Sequence, residues 1–150
     1  MKIEELKVAY IKAWKNSLEY NGRSDRRDFW YFGLSNAIVA IVIAIASGIV
    51  MERFPNPVYS LYAFASIFPG LAVAIRRFHD TGRSGKVILK YLGAYVIGVI
   101  IIAICADRVP LISGLAGLAV LGLSIYMIVL LAQKGQEGYN QYGPEPCAGV

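Results

Sequence analysis

The sequence predicts an all-α membrane protein with four transmembrane helices, and three observations predict it. Four apolar stretches each approach the length that crosses a bilayer. Lys and Arg gather before the first stretch and between the second and third, while the other two loops are short and hold a single basic residue each, beside an acidic one. An amphipathic segment precedes the first stretch and a turn-rich tail follows the last. One domain spanning 1–150 accounts for all of it.

The spans run from about Phe29 to Val50, Val58 to Ile75, Val87 to Ala106 and Leu111 to Ala132. A hydrocarbon core of roughly 30 Å needs about 20 helical residues. Only the third carries a charge, Lys90 near its start, where the side chain can snorkel to the surface. The second contains Pro69-Gly70, which predicts a kink or a less regular span. A soluble bundle would give its helices polar faces, and these have none. A secretory signal fits poorly, because the first run is too long and further spans follow.

Charge sets the orientation. The N-terminal segment carries Lys2, Lys7, Lys12, Lys15, Arg23, Arg26 and Arg27, and the second loop carries Arg76, Arg77, Arg83 and Lys86. Both are expected in the cytoplasm. The outward loops hold only Arg53 beside Glu52, and Arg108 beside Asp107. Four spans then return the tail, 133–150, to the cytoplasm with the N-terminus. The net charge of +5 follows from this bias and implies no nucleic acid. Cys105 and Cys147 are expected on opposite sides of the membrane, which argues against a disulfide between them. Neither has the neighbours of a metal site, and no cofactor is indicated.

In segment 1–21, Ile3, Leu6, Tyr10, Trp14 and Leu18 recur at three- to four-residue spacing. Two readings stand: a helix on the membrane surface with Trp14 near the headgroups, or a helix packed on the loops. Asn21-Gly22 ends it. Asp25 is placed to N-cap the next helix, with Asp28 in the capping-box position. Phe29, Trp30, Tyr31 and Phe32 read as an aromatic belt at the bilayer entry.

Small residues form stripes within the spans: Asn36, Ala40, Ala44 and Gly48; Ala94 and Gly98; Ser113 and Gly117. Such stripes let helices approach closely, within one bundle or between subunits, so a homo-oligomer or a membrane-protein partner stays open. The absence of acidic, Arg or His side chains mid-span argues against an ion-coupled carrier.

Three runs on the basic side carry what chemistry there is. They are Gly22-Arg23-Ser24-Asp25-Arg26-Arg27-Asp28-Phe29-Trp30, Arg76-Arg77-Phe78-His79-Asp80-Thr81-Gly82-Arg83-Ser84-Gly85 and Gly138-Tyr139-Asn140-Gln141-Tyr142-Gly143-Pro144. In order and spacing they resemble the three signatures of a bacterial membrane family called domain of unknown function 805. One departure is Lys86-Val87, where members often carry tryptophan. The resemblance implies a small inner-membrane protein and no catalytic mechanism.

Two roles compete for these residues. In the architectural one, Arg76 and Arg77 pair with Asp25, Asp28 or Asp80. Thr81, Gly82, Ser84 and Gly85 then shape a turn, Ser84 caps span three, and Asn140 bridges the cluster. Gly22, Tyr142 and Gly143 belong to the same structural set. In the functional one, Arg23, Arg26, Arg27, Arg76, Arg77, His79 and Arg83 form a site for an anionic lipid headgroup. An enzyme would have to use His79-Asp80 as a base and its orienting acid, yet adjacent helical side chains diverge. A scaffold or regulatory subunit, and a small oligomeric channel or carrier, are the alternatives.

Overall fold

The computed structural model describes residues 3–51 and 56–146. Among the described residues five helices follow one another: α1 Ile3–Lys15, α2 Arg26–Met51, α3 Pro57–Asp80, α4 Lys86–Cys105 and α5 Pro110–Ala132. The last four are each long and apolar enough to cross a membrane. Most of their exposed residues are apolar, as a lipid solvent requires. Glu52, Arg53 and Cys147 lie outside the described residues.

Helices α2 and α3 form one antiparallel hairpin, and α4 and α5 form a second. The start of α2, the end of α3, the start of α4 and the end of α5 therefore share one end, here called the arginine end. The two hairpins meet there, where Phe78 packs with Ile88, Leu130 and Leu131, backed by Phe29 and Ile75. Among the described residues α2 and α5 share no packed helical interface.

Helix α3 runs past Ile75, where the apolar stretch stops, to Asp80. The charged turn stays helical because Arg76, Arg77 and Asp80 are buried and find partners in other segments. The helix also continues through buried Pro69. It ends at Gly82, whose φ of +75° lets the Arg83 N–H reach back to Phe78 O at 2.9 Å, a Schellman-type stop.

Helix α1 packs against α2 and α3. Its small residues Ala9 and Ala13 are buried and allow the close approach. Tyr10 stacks on Phe32, and Trp14 turns inward to Tyr62, with ring centroids 6.3 and 6.2 Å apart. The Trp14 indole N–H is buried there without a hydrogen-bond partner among the described residues. The aromatic run divides because four consecutive helical residues spread over about 300°. Phe29 and Phe32 face inward, and Trp30 faces out.

The small-residue stripes serve unequally. Asn36 Oδ1 accepts the Tyr62 hydroxyl at 2.7 Å, joining α2 to α3. Gly98 lies against Val120, where an added Cβ would collide with Cγ2. Gly48 and Gly117 border open space, and Ala94 is exposed. Gly98→Ala is expected to loosen the α4–α5 hairpin by about 1–3 kcal/mol. Gly93→Ala, in open space, should be neutral or stabilising. Thermal unfolding in detergent compares the two.

Candidate anion site at the arginine end

The site is built on the last turn of α3. Successive side chains there leave the helix in different directions and bind different segments. Arg76 donates to Asn16 O at 3.2 Å and Glu19 O at 2.8 Å, the carbonyls that follow α1. Arg77 donates to Leu131 O at 2.9 Å and to Gln133 O, at the end of α5. The last carbonyls of a helix lack intrahelical partners and form the negative end of its dipole, so a guanidinium suits them.

Asp80 is the counter-ion. Its Oδ1 accepts from Arg23 Nε at 3.0 Å and Nη2 at 2.8 Å, and its Oδ2 accepts from Arg77 Nη1. The side chains of Arg23, Arg77 and Asp80 are 1%, 0% and 5% exposed. Arg23 also donates to Gly138 O at 2.6 Å, Gly143 O at 3.4 Å and Gln136 O. One carboxylate and two guanidinium groups thus join the loop before α2, the end of α3 and the tail after α5.

The tail closes over this knot. The Gln136 N–H donates to Asp80 O at 2.8 Å, and Asn140 Nδ2 donates to His79 O at 2.9 Å. Asn140 Oδ1 accepts the Tyr142 N–H at 2.9 Å, and Asn140 and Gly143 exchange backbone bonds at 3.0 Å. The His79 ring stacks on Tyr142 at 3.9 Å, and its Nδ1 meets Gly22 O at 3.1 Å. His79 and Asp80 therefore bind different groups and make no base–acid pair.

The remaining motif residues sit around this centre. Asp25 Oδ1 accepts the Asp28 N–H at 2.7 Å, capping α2. Asp28 pairs with Lys12 at 2.6 Å, tying α1 to α2. Ser84 Oγ accepts the Lys86 N–H at 3.3 Å at the start of α4. Gly135 lay outside the sequence motifs, yet an added Cβ would collide with the Asp80 carboxylate. Its one sequence signal is a glycine soon after the apolar run of α5.

The motif arginines do not converge on one pocket. Arg23 and Arg76 direct their hydrogen bonds inside the fold. Arg26 and Arg27 instead face a cavity of about 660 Å³ between the start of α2 and the segment after α5. Its walls include Trp30, Ala132, Lys134 and Glu145, with Arg77 and Asp80 also lining it. That volume falls in the range of about 300–1,000 Å³ common for small-molecule sites. Among the described residues Arg26 has no ion pair or hydrogen bond through its guanidinium. Arg27 is 53% exposed and lies 3.5 Å from Asp25. Lys134 hydrogen-bonds Glu137, which raises the lysine's pKa and lowers the carboxylate's. Arg83 and His79 lie outside this cavity. No group of three or more His, Cys, Asp or Glu among the described residues could hold a metal ion.

Four membrane-length helices, closed at one end by a knot of arginines and a docked tail, define a small multi-span membrane protein with a basic end. The chain belongs to the family described as Protein of unknown function (DUF805), which matches residues 17–144. It is similar to the inner membrane protein YhaI of Escherichia coli strain K12, 32% identical over 140 residues, covering 93% of this chain and 96% of YhaI. The inner membrane protein YhaH of the same strain is 28% identical over 143 residues, covering 91% and 94%. No solved structure matches.

Asp80→Asn leaves two buried guanidinium groups without their counter-ion. Removing one partner of a buried pair typically costs about 3–5 kcal/mol. The variant is expected to melt well below the parent and to be cleaved by protease within 133–146. Arg77→Lys should also destabilise, because an ammonium cannot span Leu131 O and Asp80 with a planar fork.

Proposed function

We propose that this protein is a non-catalytic component of the bacterial inner membrane. Its arginine end faces the cytoplasm and holds a phosphate-bearing anion, the headgroup of an acidic lipid. The observation that carries this reading is the cavity lined by Arg26, Arg27 and Lys134, of which Arg26 is unspent among the described residues. The start of α2 adds its positive dipole end to the same space. A basic surface beside the inner leaflet attracts anionic lipid. The names of YhaI and YhaH support the compartment, and the Lys/Arg bias supports the orientation.

This reading separates two sets of arginines. Arg23, Arg76 and Arg77 hold the fold; Arg26 and Arg27 hold the ligand. Arg26→Gln/Arg27→Gln is expected to keep the parent melting temperature without lipid and to lose the stabilisation given by phosphatidylglycerol. Equal stabilisation of parent and variant would contradict the site. For the orientation, alkaline phosphatase fused after Pro146 should be inactive and one inserted after Arg108 active. The reverse pattern would overturn it.

A further inference from the structure

The basic cavity carries a carboxylate of its own. Glu145, from the tail, stands in the wall that Arg26, Arg27 and Lys134 also form. The Gly138 N–H donates to its Oε2 at 2.9 Å, and the Gly138 carbonyl accepts from buried Arg23 at 2.6 Å. The carboxylate is thus tied to the knot. It forms no salt bridge among the described residues, yet its charge and that of Arg26 both act on Lys134. The charges around the cavity then nearly cancel. Arg27 lies beside Asp25, and Lys134 pairs with Glu137. Arg23, Arg77 and Asp80 leave one positive charge, already surrounded by carbonyl oxygens. Arg26 adds one and Glu145 removes one, so a single positive charge is left over.

We propose that Glu145 sets the charge this cavity accepts: the single negative charge of a phosphodiester, in preference to the two of a phosphomonoester. The inference rests on the cavity accepting a phosphate-bearing anion, as argued above, and adds the class of phosphate and the residue that selects it. A phosphomonoester carries about −1.5 to −2 at pH 7, whereas a diester has no second proton to lose. Attraction to the surplus positive charge grows in proportion to the ligand's charge. The cost of stripping water from the ligand grows with the square of that charge, and the fixed carboxylate repels each added charge again. Glu145→Gln keeps an oxygen for the Gly138 N–H and removes only the charge.

Phosphatidylmethanol and phosphatidic acid with the same acyl chains differ by one methyl group and about one charge. Native mass spectrometry of the full chain in mild detergent, with the two lipids in competition at about pH 7, reads the selection. The parent should favour phosphatidylmethanol by about threefold or more, the scale of one screened surface charge. Glu145→Gln should abolish or reverse that ranking. Glu19→Gln, whose carboxylate lies outside the cavity, should leave it unchanged. A parent that prefers phosphatidic acid overturns the inference. So does a Glu145→Gln variant that ranks the lipids as the parent does, or a Glu19→Gln variant that shifts them equally. If the parent retains neither lipid better than phosphatidylcholine, the anion site itself fails. Glycerophosphoglycerol, a soluble diester, separates the sources. Displacement of the lipid at comparable concentration keeps the charge selection and makes the ligand a free diester; no displacement keeps it a lipid. Should Glu145→Gln fail to fold, the parent's ranking of the two lipids still decides.

Discussion

One carboxylate, Asp80, lies between the guanidinium groups of Arg23 and Arg77, and the arginine end is assembled around that contact. Arg23 comes from the loop before α2, and Asp80 and Arg77 from the last turn of α3. Through their remaining donors the two arginines take hold of the end of α5 and the tail. Arg76, one residue earlier, does the same for the chain after α1. A turn of helix thus becomes the point where the connection between α1 and α2, the end of α5 and the tail meet.

The arrangement buries two positive charges against one negative charge, which is costly unless the surplus is solvated internally. Main-chain carbonyls supply that solvation. Those of Leu131 and Gln133 stand at the end of α5, where unpaired acceptors and the helix dipole favour a cation. Those of Gln136, Gly138 and Gly143 are turned toward Arg23 by the tail's turns. The tail can come this close because Gly135 presents no side chain to Asp80. Outside this knot the hairpins have little to hold them together, since lipid solvates apolar faces as well as protein does. The knot fixes how they are joined and leaves Arg26 and Arg27 turned to the cavity.

Much of this was legible in the sequence. Hydropathy and length marked four helices, and helices α2 to α5 coincide with them closely, because a bilayer imposes one simple demand on a span. The three basic or turn-rich runs were visible as a set at one end. What could not be read was the division of labour among the arginines. Arg76 and Arg77 bind carbonyl oxygens, and every residue has one, so the acceptors leave no mark in the sequence. Leu131, Gln133, Asn16 and Glu19 accept these arginines through their backbone carbonyls. The extension of α3 to Asp80 was hidden for the same reason: a run of charges after an apolar stretch reads as loop until its buried partners are known. Trp14 read equally well as a headgroup anchor, and only the small residues Ala9 and Ala13, packed on α2 and α3, turn it inward.

The proposed division between arginines that build the fold and arginines that face the cavity depends on Arg23 anchoring the tail. Hydrogen exchange of the parent and of Arg23→Gln tests that most directly. The account predicts slow exchange at the Gln136, Asn140 and Gly143 amides in the parent. It predicts fast exchange at all three in the variant, with α1 and its Arg76 anchor unchanged. Amides already exchanging freely in the parent, or still protected in the variant, would contradict it.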